Sequence, residues 1–301
     1  MKRRDIFDLL LLGALWGASF LFQRVAAPAF GALPLAAVRI AVAALILLPL
    51  LAWRGGLADI TRRPGAFLML GAVNTAIPFA LFAWAVLTIT AGVAAILNAT
   101  APMFGALVAW AWLRERPAAL QALGLVIGFG GVLWLVSARA GLDVEGARAP
   151  IMAGLAACLC YGIAANYARR SFANVSPLAM ATCSQLGATL LLAPLAAWAW
   201  PAVTPGARDW VAALILGVFC TGIAYLLFFR LLTRVGVVRA MTVTFLVPAF
   251  AMLWGALFLD ERVTLTMLAG CAVILLGTAL ASGLLRRPAA AESTGTAPNE
   301  N

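Results

Sequence analysis

Ten long, predominantly apolar stretches follow one another through this chain, separated only by short connections bearing charge, proline or glycine. They run near 6–27, 33–53, 65–86, 92–113, 118–137, 150–168, 177–199, 209–232, 238–259 and 264–284. About twenty apolar residues in a helix cross the hydrocarbon core of a bilayer. Lipid offers no water to an open backbone, so a spanning segment must satisfy its own peptide groups. The runs are continuous rather than alternating, which predicts helices and not a barrel. The expected fold class is an all-α polytopic membrane protein of ten transmembrane helices. Charged residues make up 11% of the chain and the mean hydropathy is +1.03, against about 25% charged in soluble domains. That excludes a soluble enzyme. The first run is longer than a signal-peptide core and no polar mature domain follows it, so it is expected to remain as a span.

Polar residues then set the topology. The net charge is +10, but the basic residues sit in short clusters between apolar runs, not on one polar face. This argues against nucleic acid as a partner. With the N-terminus inside, fifteen of the 21 Lys and Arg residues fall on the cytoplasmic side, five on the other, and Arg39 inside a span. The bias predicts a multi-pass inner-membrane protein with both termini cytoplasmic. Trp53, Trp110, Trp112, Trp134, Trp198, Trp200 and Trp210 fall near span ends, as interfacial anchors do. The segment 286–301 is rich in Ala, Ser, Thr, Pro and Glu and is expected to be a disordered cytoplasmic tail.

The chain also repeats itself at a shift of 145–146 residues. Trp16-Gly17 with Arg24 returns as Tyr161-Gly162 with Arg169. Pro102 with Glu115 returns as Pro248 with Glu261. Gly124 and Gly131 return as Gly270 and Gly277. Agreement at one shift across several spans marks an internal repeat. Each copy holds five spans, an odd number, so the second enters the membrane from the opposite side. The expected units are a first five-helix repeat at 1–138 and an inverted second at 139–285. Inverted repeats are a recurrent design of secondary transporters, in which two related halves exchange conformations around a central site.

Leu15-Trp16-Gly17 with Arg24, the Pro34…Arg39 segment and the paired Pro-x12-Glu-Arg segments resemble the drug/metabolite transporter superfamily. The similarity is to its EamA-type, ten-span members, which include aromatic amino acid exporters, and covers about residues 5–285. The resemblance implies a central cavity built from spans 1–4 and 6–9, with spans 5 and 10 packed peripherally.

Candidate site residues follow from which side chains are out of place in lipid. In spans 4 and 9, Ala94, Asn98, Pro102, Gly105 and Ala109 share one helix face with repeat mates Ala240, Thr244, Pro248, Ala251 and Gly255. Two readings stand for this stripe: close helix packing, or a cavity wall with proline-freed carbonyls. Asn74 and Asn98, near mid-span on neighbouring spans 3 and 4, are the leading polar candidates, joined by Gln185. Trp16, Tyr161, Phe79 and Tyr225 form two repeat-related aromatic pairs able to stack a ring. Arg39 is the clearly intramembrane charge; it could steer a substrate carboxylate or snorkel to the surface. Gly124-x3-Gly128 is a helix-packing signal, within the fold or in a dimer, and the expected state is a monomer.

The eleven acids all fall in loops, tails or span ends, and there is no histidine. The four-span drug exporters of the resembled superfamily use a carboxylate in helix 1, where this chain places Trp16. The five cysteines lie in apolar runs and give no disulfide framework. With no His-based or nucleotide-binding motif, no metal and no cofactor are expected, and ATP drive is disfavoured. The expected function is export of small metabolites, most of all amino acids with aromatic ones favoured, by alternating access as a facilitator or exchanger. A drug or metabolite/proton antiporter of the same superfamily is the alternative. A membrane-embedded enzyme lacks its acid–base groups, and a channel has no need of inverted halves. The expected partners are a small-molecule substrate and the lipid bilayer.

Overall fold

The computed structural model describes residues 2–56, 63–137 and 146–283; the tail at 286–301 lies outside them. Among the described residues the chain forms ten helices and no strand. They are α1 (Arg3–Phe30), α2 (Ala32–Trp53), α3 (Pro64–Ala85), α4 (Ala91–Leu113), α5 (Ala119–Ser137), α6 (Arg148–Ser171), α7 (Pro177–Trp198), α8 (Ala207–Val235), α9 (a short turn Val237–Ala240, then Val243–Leu259) and α10 (Leu265–Ala281). Thr90, Ser176 and Thr264 cap α4, α7 and α10, each accepting a 3.2 Å bond from a first-turn amide.

The two halves share their irregularities. A π-helical segment interrupts α3 at Ala72–Ala76 and α8 at Val218–Ile223, 146 residues apart in the chain. α4 breaks between Asn98 and Ala101, and α9 between Ala240 and Val243. α4 and α9 both end on a left-handed residue, Arg114 (φ 58) and Asp260 (φ 53). Helix contacts obey the same rule. α1 packs on α9 as α6 packs on α4. α3 packs on α6 as α8 packs on α1. α3 packs on α7 as α8 packs on α2.

Small residues allow these approaches. A Cβ on Gly17 would lie 2.6 Å from Phe250 Cβ, and one on Gly162 would lie 2.7 Å from the backbone of Phe104, the repeat mate of Phe250. Trp16-Gly17 and Tyr161-Gly162 are therefore contact points between α1 and α9 and between α6 and α4. Gly124, Gly128 and Gly277 bring α5 and α10 together, where a Cβ on Gly277 would lie 2.4 Å from Gly128 Cα. The Gly124-x3-Gly128 signal is thus used inside the chain. The α5–α10 pair stands beside the other eight helices, which surround a central cavity.

Trp53, Trp110, Trp112, Trp134, Trp198 and Trp200 are exposed, whereas Trp210 is drawn inward against Phe30, ring centroids 4.9 Å apart. α1 begins at Arg3, so Asp5 and Asp8 lie in its first two turns and are buried. Asp8 meets Arg230 at 3.1 Å and Asp5 meets Arg234 at 3.9 Å, tying α1 to α8.

Candidate functional site

The cavity holds about 440 Å³ and is lined by α1–α4 and α6–α9, with no residue from α5 or α10. At its mouth Ala165, Pro177 and Met241 are exposed. These residues lie toward the face that carries both described chain ends. On the opposite side Phe30, Leu35, Ile89 and Leu216 are buried and close it.

Nine of the eleven candidate residues line this space: Trp16, Arg39, Asn74, Phe79, Asn98, Pro102, Tyr161, Tyr225 and Thr244. Gln185 and Pro248 do not. Gln185 lies fully buried behind the wall, close to Tyr225, and at the α9 stripe Val247 faces the space in place of Pro248. The packing reading holds for Ala94, Ala240 and Ala251, which are buried without lining the cavity. Asn74 and Asn98 share the cavity, but α3 and α4 meet mainly through α6, which packs against both. A short connection in the chain did not make these two helices close neighbours.

Arg39 is held inside. Its side chain is buried, its Nε donates to Thr221 Oγ1 at 2.8 Å, and its guanidinium carbon lies 3.8 Å from the centroid of the Phe79 ring. Snorkelling to the surface is thereby overturned. Thr221 sits in the π-helical segment of α8 and its hydroxyl donates to Leu216 O at 2.8 Å, so the widened turn presents its oxygen to Arg39. Among the described residues no carboxylate lies within ion-pair distance of Arg39.

The other half repeats the frame with different chemistry. Gln185 and Thr75 are the repeat mates of Arg39 and Thr221. Thr75 and Ser184 hydroxyls lie 2.8 Å apart, and Asn74 Nδ2 donates to Ser184 Oγ at 3.2 Å. One half thus offers a cation and the other an amide–hydroxyl cluster.

Gln23, a polar side chain deep in the first span that lipid requires to face the bundle or a wet cavity, lines the space too; it donates to Ser19 O at 3.1 Å, and its buried Oε1 has no partner among the described residues. Other lining residues escape sequence reasoning. Phe82, Phe228 and Phe229 add aromatic wall, with Trp16 and Phe228 rings 5.3 Å apart. Apolar side chains in apolar helices carry no mark of which face they occupy. Trp84 and Trp254 are outside the lining set; Trp254 donates to Ala14 O at 3.1 Å and braces α9 on α1. Cys220 also lines the cavity.

The EamA-like transporter family model matches the chain twice, at residues 6–137 and 148–283. The chain belongs to the EamA-like transporter family. A Bacillus subtilis (strain 168) relative named as the uncharacterized transporter YvbV is 22% identical over 91% of this chain and 90% of its own length. The threonine/homoserine exporter RhtA of Salmonella typhimurium (strain SL1344) is 29% identical over 82% of this chain and 81% of its own. A solved crystal structure at 19% identity shares the fold with a TM-score of 0.64, covering 94% of this chain and 98% of that one. This EamA-like transporter is accordingly a multi-pass membrane protein of ten helices, and its cavity is the place to look for a substrate.

Proposed function

We infer that this EamA-like transporter exports amino acids, with aromatic side chains favoured, from the cytoplasm across the inner membrane, and that both its termini are cytoplasmic. The observation that carries the substrate class is Arg39: a buried guanidinium at the wall of a cavity, with no carboxylate among the described residues to neutralise it. A buried cation without a partner is costly, and a substrate carboxylate supplies the missing charge through the bidentate geometry that arginine favours. Gln23 Oε1, a buried acceptor with no donor, suits the ammonium group. Trp16, Phe79, Phe82 and Tyr161 offer the flat faces against which a ring stacks. The similarity to RhtA, named as an exporter of threonine and homoserine, supports the amino acid class but not the aromatic preference. Among the described residues no acid lines the cavity, which favours facilitated export or exchange over proton antiport.

Counterflow in proteoliposomes tests the reading. Preloaded tyrosine or phenylalanine is expected to drive saturable uptake of the labelled amino acid, whereas tyramine, which lacks the carboxylate, is not. Equal transport of tyrosine and tyramine would overturn it. Stoichiometric proton movement with flux would overturn the uncoupled mode.

A further inference from the structure

The two repeat-related Arg–Glu pairs lie on opposite faces of the membrane fold, and they differ in burial. On the closed side, Glu261 has a side chain only 10% exposed. It accepts from the amides of Ala91 at 2.9 Å and Gly92 at 3.4 Å, at the start of α4. Arg24 of α1 lies 4.0 Å from the same carboxylate and also donates to Val86 O, at the end of α3. One carboxylate therefore gathers α1, α3, α4 and α9. On the open side the mates are Glu115 and Arg169. They meet at 2.9 Å but with both side chains more than half exposed, 55% and 53%, and they join only α4 to α6. The start of α9 stands away from them: Val237, repeat mate of Ala91, is 66% exposed where Ala91 is fully buried.

Local geometry prepares both glutamates equally. Arg114 and Asp260 adopt the same left-handed turn, and the amides of Glu115 and Glu261 reach back to Ala109 O and Gly255 O at 3.2 and 3.1 Å. The difference between the two ends is thus not in the glutamate loops but in whether the facing helix start has closed onto them. Removing one partner of a desolvated charged contact costs far more than removing one of an exposed pair, because it leaves the other group buried and unmet.

We propose that Glu261 with Arg24 is the latch that keeps the far face of the transporter shut, and that Glu115 with Arg169 is the same latch released. In the alternate state the start of α9 closes onto Glu115 as the start of α4 now lies on Glu261, and the Glu261 contacts open. Each face is then shut by its own glutamate, and a cycle exchanges which one is buried.

Side-specific labelling tests this without any substrate, so it stands or falls apart from the amino acid reading. A single cysteine at Ala101, a partly exposed residue of the cavity wall at the break in α4, is introduced into a chain whose five native cysteines are replaced. An impermeant maleimide is applied from each face of oriented membranes. The parent is expected to label from the chain-end face. Glu261→Gln is expected to raise labelling from the opposite face about tenfold or more, the worth of one buried charge-assisted contact. Adding Glu115→Gln is expected to bring it back down, because the alternate state then loses its own latch. Unchanged far-face labelling in folded Glu261→Gln protein, or a double variant that labels like Glu261→Gln alone, would overturn the proposal. Hydrogen exchange on the native-cysteine chain gives a second measurement. Glu261→Gln is expected to speed exchange across the closed side, at 85–97 and around Leu216, beyond the two amides whose charged acceptor becomes a single neutral amide oxygen. Acceleration confined to Ala91 and Gly92 would reduce Glu261 to a helix cap and overturn the latch.

Discussion

The Arg39 guanidinium rests on the face of Phe79, 3.8 Å from the ring centroid, while its Nε bonds Thr221. The arrangement fixes the plane of the fork at the cavity wall. Lysine keeps the charge but neither the fork nor the stacking, so Arg39→Lys is expected to raise KM for a carboxylated substrate about tenfold. Arg39→Gln, which installs the residue found at the repeat mate Gln185, is expected to cost about tenfold to a hundredfold, the range for hydrogen bonds to a charged group. Removing an uncompensated buried cation relieves desolvation, so the Tm of Arg39→Gln is expected to stay level or rise. Proteoliposome kinetics beside thermal unfolding check both; a KM unchanged in Arg39→Gln would remove Arg39 from the site.

Trp16 forms part of the cavity wall, its ring 5.3 Å from that of Phe228. An aromatic contact adds about 0.5–1.5 kcal/mol beyond area burial. Trp16→Ala is therefore expected to weaken phenylalanine or tyrosine about two- to tenfold and threonine much less. Competition assays with the three amino acids measure the ratio. Equal weakening for all three would assign Trp16 to helix packing alone.

Asn98 closes the first part of α4, at the break before Ala101, and no side-chain hydrogen bond joins it to another described residue. Its truncation orphans no protein partner. Asn98→Ala is expected to change stability by less than about 0.5 kcal/mol while lowering transport affinity severalfold. A drop in Tm with unchanged affinity would make it a structural amide.

Much of this organisation is legible in the residues. Apolar runs mark the spans because lipid excludes any other use of them, and the shift of 146 residues pairs Pro102 with Pro248 and Phe79 with Tyr225 because the halves keep one backbone frame. Arg39 is conspicuous because a lone charge in a span needs a reason. The π-helical segments are not legible, since neither Ala72–Ala76 nor Val218–Ile223 holds a proline and only the second holds a glycine, Gly222, of a kind common elsewhere in these spans; they follow from how α3 and α8 pack. Nor does spacing separate Val247, which faces the cavity, from its neighbour Pro248, which does not. A rotation of a fraction of a turn decides that, and it is set by the helices around α9. The burial of Asp5 and Asp8 likewise depends on α8 bringing Arg230 and Arg234 across to them.

The same frame separates stability from transport in the glycines. At Gly277 a Cβ would sit 2.4 Å from Gly128 Cα, with backbone on both sides and no flexible side chain to yield. Gly277→Ala must push α10 from α5, and overpacking of this kind costs about 1–3 kcal/mol. Neither helix contributes to the cavity wall. The expected outcome is a lowered Tm with KM unchanged in the surviving folded protein. Gly162→Ala meets backbone as well, 2.7 Å from Phe104 C and 2.8 Å from Gly105 N, but α6 and α4 carry Tyr161, Asn98 and Pro102 into the cavity. There the same substitution is expected to lower Tm and raise KM together. Detergent-solubilised thermal unfolding, paired with proteoliposome kinetics on both variants, resolves the two patterns. A raised KM in Gly277→Ala would mean that the α5–α10 pair reaches the site through the helices it flanks.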